Sequence, residues 1–164
     1  ALATVTRDDL SKLSGSGVGA VRRFYRAGGS LSPAQFERSV IGPNAAFVGA
    51  LHERHPGVPV IGFPKGAGAK LTAYVRETGV DAVGLDETID PAWAAAALPK
   101  DLPVQGNLDP LVLIAGGEAM EQAAGRILAA FAERPHVFNL GHGILQDTPI
   151  AHVEQLLAFV RSVG

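Results

Sequence analysis

Short apolar runs alternate along most of the chain with longer stretches in which apolar residues recur every three or four positions. The first pattern reads as strands covered on both faces, the second as helices with one buried stripe. Ser32-Pro33-Ala34-Gln35 opens the first clear helix, with Ser32 as cap, Pro33 at the first helical position and Gln35 completing a capping box. Phe36, Val40, Phe47 and Leu51 continue one face of it, Pro43 predicts a kink, and Pro56-Gly57 lies beyond its end. Val58 to Phe63 reads as a buried strand and Pro64 to Gly68 as the loop at its carboxyl end. A helix carrying Leu71, Tyr74 and Val75 runs from there to Gly79.

The same unit repeats. Val80 to Leu85 reads as a strand ending in Asp86, followed by an alanine-rich helix from Pro91 to about Leu98. Leu102 to Gln105 is another strand, turning at Gly106-Asn107-Leu108-Asp109-Pro110. A brief helix at Leu111 to Ala115 precedes a longer one from Glu118 to Ala132, whose stripe is Met120, Ala124, Ile127, Leu128 and Phe131. His136 to Leu140 reads as a last buried strand. Asp147-Thr148-Pro149 predicts the capped start of a helix with Val153, Leu156, Leu157 and Val160 on one side.

Gly19 to Arg26 has the position of a strand but an awkward composition. Burying Arg22 and Arg23 without partners costs several kcal/mol, so this segment is either no strand or an exposed edge. Residues 1–18, polar and closing on Ser14-Gly15-Ser16-Gly17, read as a lead-in or linker.

Alternating strand and helix imply an α/β fold: a parallel sheet with right-handed crossovers. A complete (β/α)8 barrel takes eight such units and roughly 250 residues. With 164 residues, the chain holds about half of one. Composition narrows the function classes. Fourteen Lys and Arg against sixteen Asp and Glu give no basic excess for nucleic acid, and no apolar run is long enough to span a membrane. The absence of cysteine excludes disulfides, thiol catalysis and thiolate-bound zinc. A cytoplasmic protein is the expectation.

Four loops follow strands and are expected to gather at the carboxyl edge of the sheet, where a barrel keeps its chemistry. They deliver Lys65, Asp86, the Asn107-Asp109 pair and His142. Taken singly, Asp86 and Asp109 fit helix caps and Asn107 a turn former, so their convergence is the signal. His142 stands out because Gly141 and Gly143 leave it unshielded and free the backbone to take positive φ against a ligand. No two-histidine-plus-carboxylate spacing and no nucleophile elbow is present, and His52 and His55 read as surface residues.

Four tracts together carry a resemblance. They are Pro59-Val60-Ile61-Gly62-Phe63-Pro64-Lys65-Gly66-Ala67-Gly68, Val83-Gly84-Leu85-Asp86, Gln105-Gly106-Asn107-Leu108-Asp109-Pro110 and Asn139-Leu140-Gly141-His142-Gly143-Ile144 with Gln146-Asp147-Thr148-Pro149. In order and spacing they resemble the uroporphyrinogen decarboxylase family, with residues 19–164 as the C-terminal half of its barrel. The resemblance implies conversion of the four acetate side chains of uroporphyrinogen III to methyls, without cofactor or metal, in porphyrin and haem biosynthesis. It implies that His142 is a catalytic and substrate-contacting residue, and that Phe24 is an apolar wall for the tetrapyrrole. Arg26 stands where the family has a substrate-contacting serine, and a guanidinium there could hold a substrate carboxylate.

The family's first half, with its arginine-rich loop and the aspartate that grips the pyrrole N–H groups, has no counterpart among these residues. Asp86 belongs to a different motif. Two expectations therefore stand side by side: a partial decarboxylase, and a non-catalytic half-barrel acting as a binding or assembly module. Open sheet edges would drive either toward a homo-oligomer or toward a complementary N-terminal half. Zinc-dependent methyltransferases of the same superfamily need cysteine ligands, which the chain lacks.

Overall fold

The computed structural model describes residues 21–25, through their backbone, and 28–163. They form an α/β arrangement of parallel strands and alternating helices, divided into two compact units, Ala1–Val83 and Gly84–Gly164. The expected linker at residues 1–18 lies outside the described residues.

In the first unit, β1 (Val21–Tyr25) pairs in parallel with β2 (Val60–Pro64), which pairs in parallel with β3 (Ala82–Gly84). The Arg22-Arg23 segment is thus a strand, and among the described residues β2 is its only neighbour. Main-chain pairing is indifferent to side-chain charge.

The first helix begins as predicted. In α1 (Pro33–Phe36) the Ser32 hydroxyl accepts the Gln35 N–H and Pro33 takes the first turn. The expected kink is a π-helical stretch, Glu37–Ile41, placed before Pro43 where α2 (Gly42–Arg54) starts. Proline has no N–H to give and crowds the preceding turn, so an enlarged turn absorbs it. The buried Asn44 side chain donates to Val40 O at 2.6 Å, which supplies a donor inside the distorted turn. Phe36, Val40 and Leu51 point into the core with Val60, Phe63, Leu71 and Tyr74. Each such burial stabilises by about 1.5–3 kcal/mol. Tyr74, from α3 (Leu71–Thr78), lies across Gly62 of β2, where an added Cβ would come within 2.7 Å of the ring. The strand carries a glycine there because an aromatic occupies the space.

The second unit holds α4 (Pro91–Ala97), β4 (Val104–Leu108), α5 (Pro110–Ala115), α6 (Gly117–Ala130), β5 (His136–Leu140) and α7 (Ile150–Val163). Asp90 caps α4 by accepting the Trp93 N–H, and Asp109 caps α5 by accepting the Leu111 N–H. The stripe of α6 is buried as expected at Met120, Ala124 and Ile127, with Phe131 just past its end. Arg134, which follows, donates to three main-chain carbonyls: Ala94 at 3.4 Å, Leu102 at 3.0 Å, and Pro99.

Four expectations are corrected. Gly106, Asn107 and Leu108 continue β4 rather than turning, and all five residues pair with β5 in parallel register, Val104 opposite His136 and Leu108 opposite Leu140. β5 is not a buried strand: Val137 is 53% exposed and its other residues are half-buried. Finally, α7 starts at Ile150 and its first bonds are received by the Pro149 carbonyl, not organised by Asp147. Leu157, expected on the buried side of that helix, is 47% exposed.

Candidate functional site

The loops that follow the strands meet in two sets, one within each unit. In the first unit the Gly28–Ser30 turn after β1 lies against the loop after β2, and a Cβ on Gly29 would sit 3.3 Å from Gly66 O. Lys65 is on that loop and half-buried. Arg26 lies outside the described residues, and of Phe24 only the backbone, in β1 opposite Phe63, is described.

In the second unit three loops converge. Asn107, at the end of β4, is 4% exposed and donates through Nδ2 to Asp86 O at 2.9 Å and Ile89 O at 2.7 Å. Its amide thus holds the loop that follows β3. Asp86 is itself 3% exposed, and its carboxylate accepts the Thr88 N–H at 2.9 Å and the Thr88 hydroxyl. Asp86 therefore shapes a tight turn instead of capping a helix. Gly141 packs against the main chain of the same loop: a Cβ there would fall 2.2 Å from Glu87 N and 2.7 Å from Glu87 Cα.

This contact corrects the reading of the two glycines. Neither Gly141 nor Gly143 adopts positive φ. Gly141 is required by the close approach of one main chain to another, whereas Gly143 has open space about it. Half-buried His142 follows directly on this joint, so its backbone is set by Gly141 packed on Asp86–Glu87. The structure thus brings Asp86, Asn107, Asp109 and His142 onto neighbouring loops of one unit.

His136 was not singled out by sequence. Its Nε2 lies 2.8 Å from Gly106 O, and its ring meets Phe131 at a tilt, 4.8 Å between centroids, and Phe138 edge-on at 6.2 Å. Burial lowers its pKa, the hydrogen bond to Gly106 opposes this, and nearby Arg134 adds to the lowering. A histidine at the head of an apolar strand gives no signal of that contact. His52, expected at the surface, meets Asp81 at 2.8 Å, while the same Asp81 oxygen accepts the Val60 N–H at 2.7 Å. Among the described residues no group of His and carboxylates could hold a metal ion. No described helix is long and apolar enough to cross a membrane.

A family model described as uroporphyrinogen decarboxylase (URO-D) matches residues 1–163. The chain belongs to the uroporphyrinogen decarboxylase family. Curated relatives agree along nearly all of it. The uroporphyrinogen decarboxylase of Rhizorhabdus wittichii is 68% identical over 161 residues, 98% of this chain and 47% of that protein. The enzyme of Sphingopyxis alaskensis is 64% identical over the same shares, and that of Maricaulis maris 48% identical over 98% of this chain and 46% of its own length. The chain therefore spans about half the length of these relatives. Parallel βα units in about half a barrel are what that share of a uroporphyrinogen decarboxylase barrel amounts to.

Proposed function

We propose that residues 19–164 supply the C-terminal half of a uroporphyrinogen decarboxylase barrel and act on uroporphyrinogen III. The observation that carries this is the family match along 1–163 at up to 68% identity. The meeting of three strand-end loops beside His142 supports it, because strand ends of a barrel are where catalytic groups collect. In this reaction a pyrrole carbon is protonated, and the ring becomes an electron sink. The electrons of each acetate's C–CO2 bond move into the ring and carbon dioxide leaves; a proton then completes the methyl group, and the ring carbon gives up the proton it took at the start, which restores the pyrrole. The protein's task is to hold several carboxylates and an electron-poor ring in fixed geometry, which is electrostatic preorganisation. His142 hydrogen-bonds a substrate carboxylate, Phe24 walls the macrocycle, and Arg26 pairs with a second carboxylate.

A second reading, a non-catalytic half-barrel that binds or assembles, is favoured by the exposure of β5 and of Ile144 and Leu145 after it. Both readings take a homo-oligomer or a complementary N-terminal half as partner. Anaerobic turnover of uroporphyrinogen III separates them, run on this chain alone and mixed with the remaining half of the Rhizorhabdus wittichii relative, with the mass in solution recorded. Coproporphyrinogen formed at an enzyme-like rate by the mixture supports the decarboxylase reading. A folded, associated mixture that forms none favours the assembly module. In a mixture that turns over, His142→Ala lowers kcat/KM by about 10- to 100-fold, and unchanged kinetics would remove His142 from the mechanism.

A further inference from the structure

The end of β4 holds two loops of the second unit at once. The Leu108 carbonyl accepts the Gly141 N–H at 2.8 Å, which ties the chain leaving β5 to β4. One residue earlier, the Asn107 side chain reaches the loop after β3. That loop is a tight turn: the Ile89 N–H donates to Asp86 O at 3.1 Å, closing residues 86–89, and the Asp86 carboxylate accepts the Thr88 N–H inside it. Asn107 donates to the carbonyls at both ends of this turn, Asp86 O and Ile89 O. The first peptide of the turn is what Gly141 packs against, since a Cβ on Gly141 would stand 2.8 Å from Asp86 C and 2.2 Å from Glu87 N. Gly141 is thus held by β4 directly, through Leu108, and by the turn that Asn107 clamps. His142 is the next residue.

An amide is a poor choice here for stability alone. Both hydrogens of Nδ2 are committed to the turn, but Oδ1 is buried and meets no hydrogen-bond donor among the described residues. The desolvation of that oxygen offsets what the two Nδ2 bonds contribute. Leucine has nearly the same branched shape and would carry no such cost. What leucine lacks is the pair of donors that fixes the turn at two points, and so the value of the amide lies in placement.

We propose that Asn107 is a positioning residue for His142: by clamping both ends of the 86–89 turn it fixes the seat of Gly141, and with it the point from which the imidazole is presented. Its effect on turnover rests on the reading of His142 as a substrate contact. Its effect on where His142 stands does not.

The test uses the chain, alone and mixed with the remaining half of the Rhizorhabdus wittichii relative. NMR follows the Gly141 amide and the His142 ring signals, the latter assigned by their loss in His142→Ala. Asn107→Leu is expected to keep the fold and to move both. Val104→Ala, a truncation of a buried side chain at the opposite end of β4, is expected to lower the urea midpoint more and to leave both in place. Asn107→Asp keeps the shape but faces the two carbonyls with an oxygen instead of a donor. It should displace the signals further than leucine, and it serves where Asn107→Leu does not fold. In turnover, Asn107→Leu should lower kcat about 10-fold. Combined with His142→Ala it should be no slower than His142→Ala alone, because nothing is then left to position. Unmoved His142 and Gly141 signals in a folded Asn107 variant, equal movement by Val104→Ala, or losses that multiply in the double variant would each overturn the proposal. The spectra need no substrate, so they decide the placement of His142 even where the decarboxylase reading fails.

Discussion

β4 and β5 lie side by side and pair over five residues, yet one is mostly buried and the other at best half-buried. Val104 and Leu108 of β4 are 0% and 1% exposed, while Val137 of β5 is 53% exposed. The difference is in what covers them. α6 lies on β4, where Val104 and Leu108 share one face, while Val137, in register with Gln105, belongs to the opposite face. An apolar run therefore reports that a segment pairs, whereas burial depends on neighbours that the segment does not encode.

The largest effect that sharpens this contrast is Leu108→Ala, which should cost about 2–5 kcal/mol by opening a cavity under α6. Urea unfolding monitored by circular dichroism measures it. Next comes Gly141→Ala, at about 3 kcal/mol, because the new methyl must displace the main chain of Glu87. A stability within 0.5 kcal/mol of the parent, about the noise of surface changes, would mean that the joint between the two loops yields easily. His136 gives a smaller effect with a definite sign. Burial, opposed by the bond to Gly106 and assisted by Arg134, lowers its folded pKa, so the folded state binds fewer protons than the unfolded one near the usual imidazole value of about 6.5. Stability is complete above that pH and falls as the solution is acidified from there through the folded value. His136→Gln should flatten the slope of the urea midpoint between about pH 7 and pH 5, a window set by that imidazole value. The smallest is Val137→Thr, expected within about 0.5 kcal/mol of the parent since the side chain is mostly in water. A loss above about 2 kcal/mol, typical of core truncations, would show that β5 is covered in solution, as by a second copy.

Much of the fold is legible in the chain because its signals are local. Asp90-Pro91 and Asp109-Pro110 mark helix starts, Gly79 at φ 70° marks a helix end, and the 3.6-residue stripe of α6 names its buried face. What misleads is chemistry with two uses. Gly106-Asn107 looks like a turn, but Gly106 stays in the strand at φ +137° with the Leu85 carbonyl beside it, and Asn107 spends its amide on a neighbouring loop. Arg22-Arg23 leaves open either no strand or an exposed edge, and a strand forms there. At the site, the place of His142 after a strand can be read from spacing. The seating of Gly141 on Glu87 cannot, since a contact between two main chains leaves no hydrophobic trace.

Arg134 bears on how this unit breathes. Ala94 O also receives the Leu98 N–H, and Pro99 O the Leu102 N–H, so the guanidinium shares its acceptors with the turn that follows α4. A proline-bearing connection with no regular structure is ordinarily among the first parts of a fold to fray. Here lifting it also breaks its bonds to the Arg134 guanidinium. The amide hydrogens of Leu98, Leu102 and Arg134 are therefore expected to exchange at matching rates in a native-state hydrogen-exchange measurement, slower than the loose strap that the segment resembles.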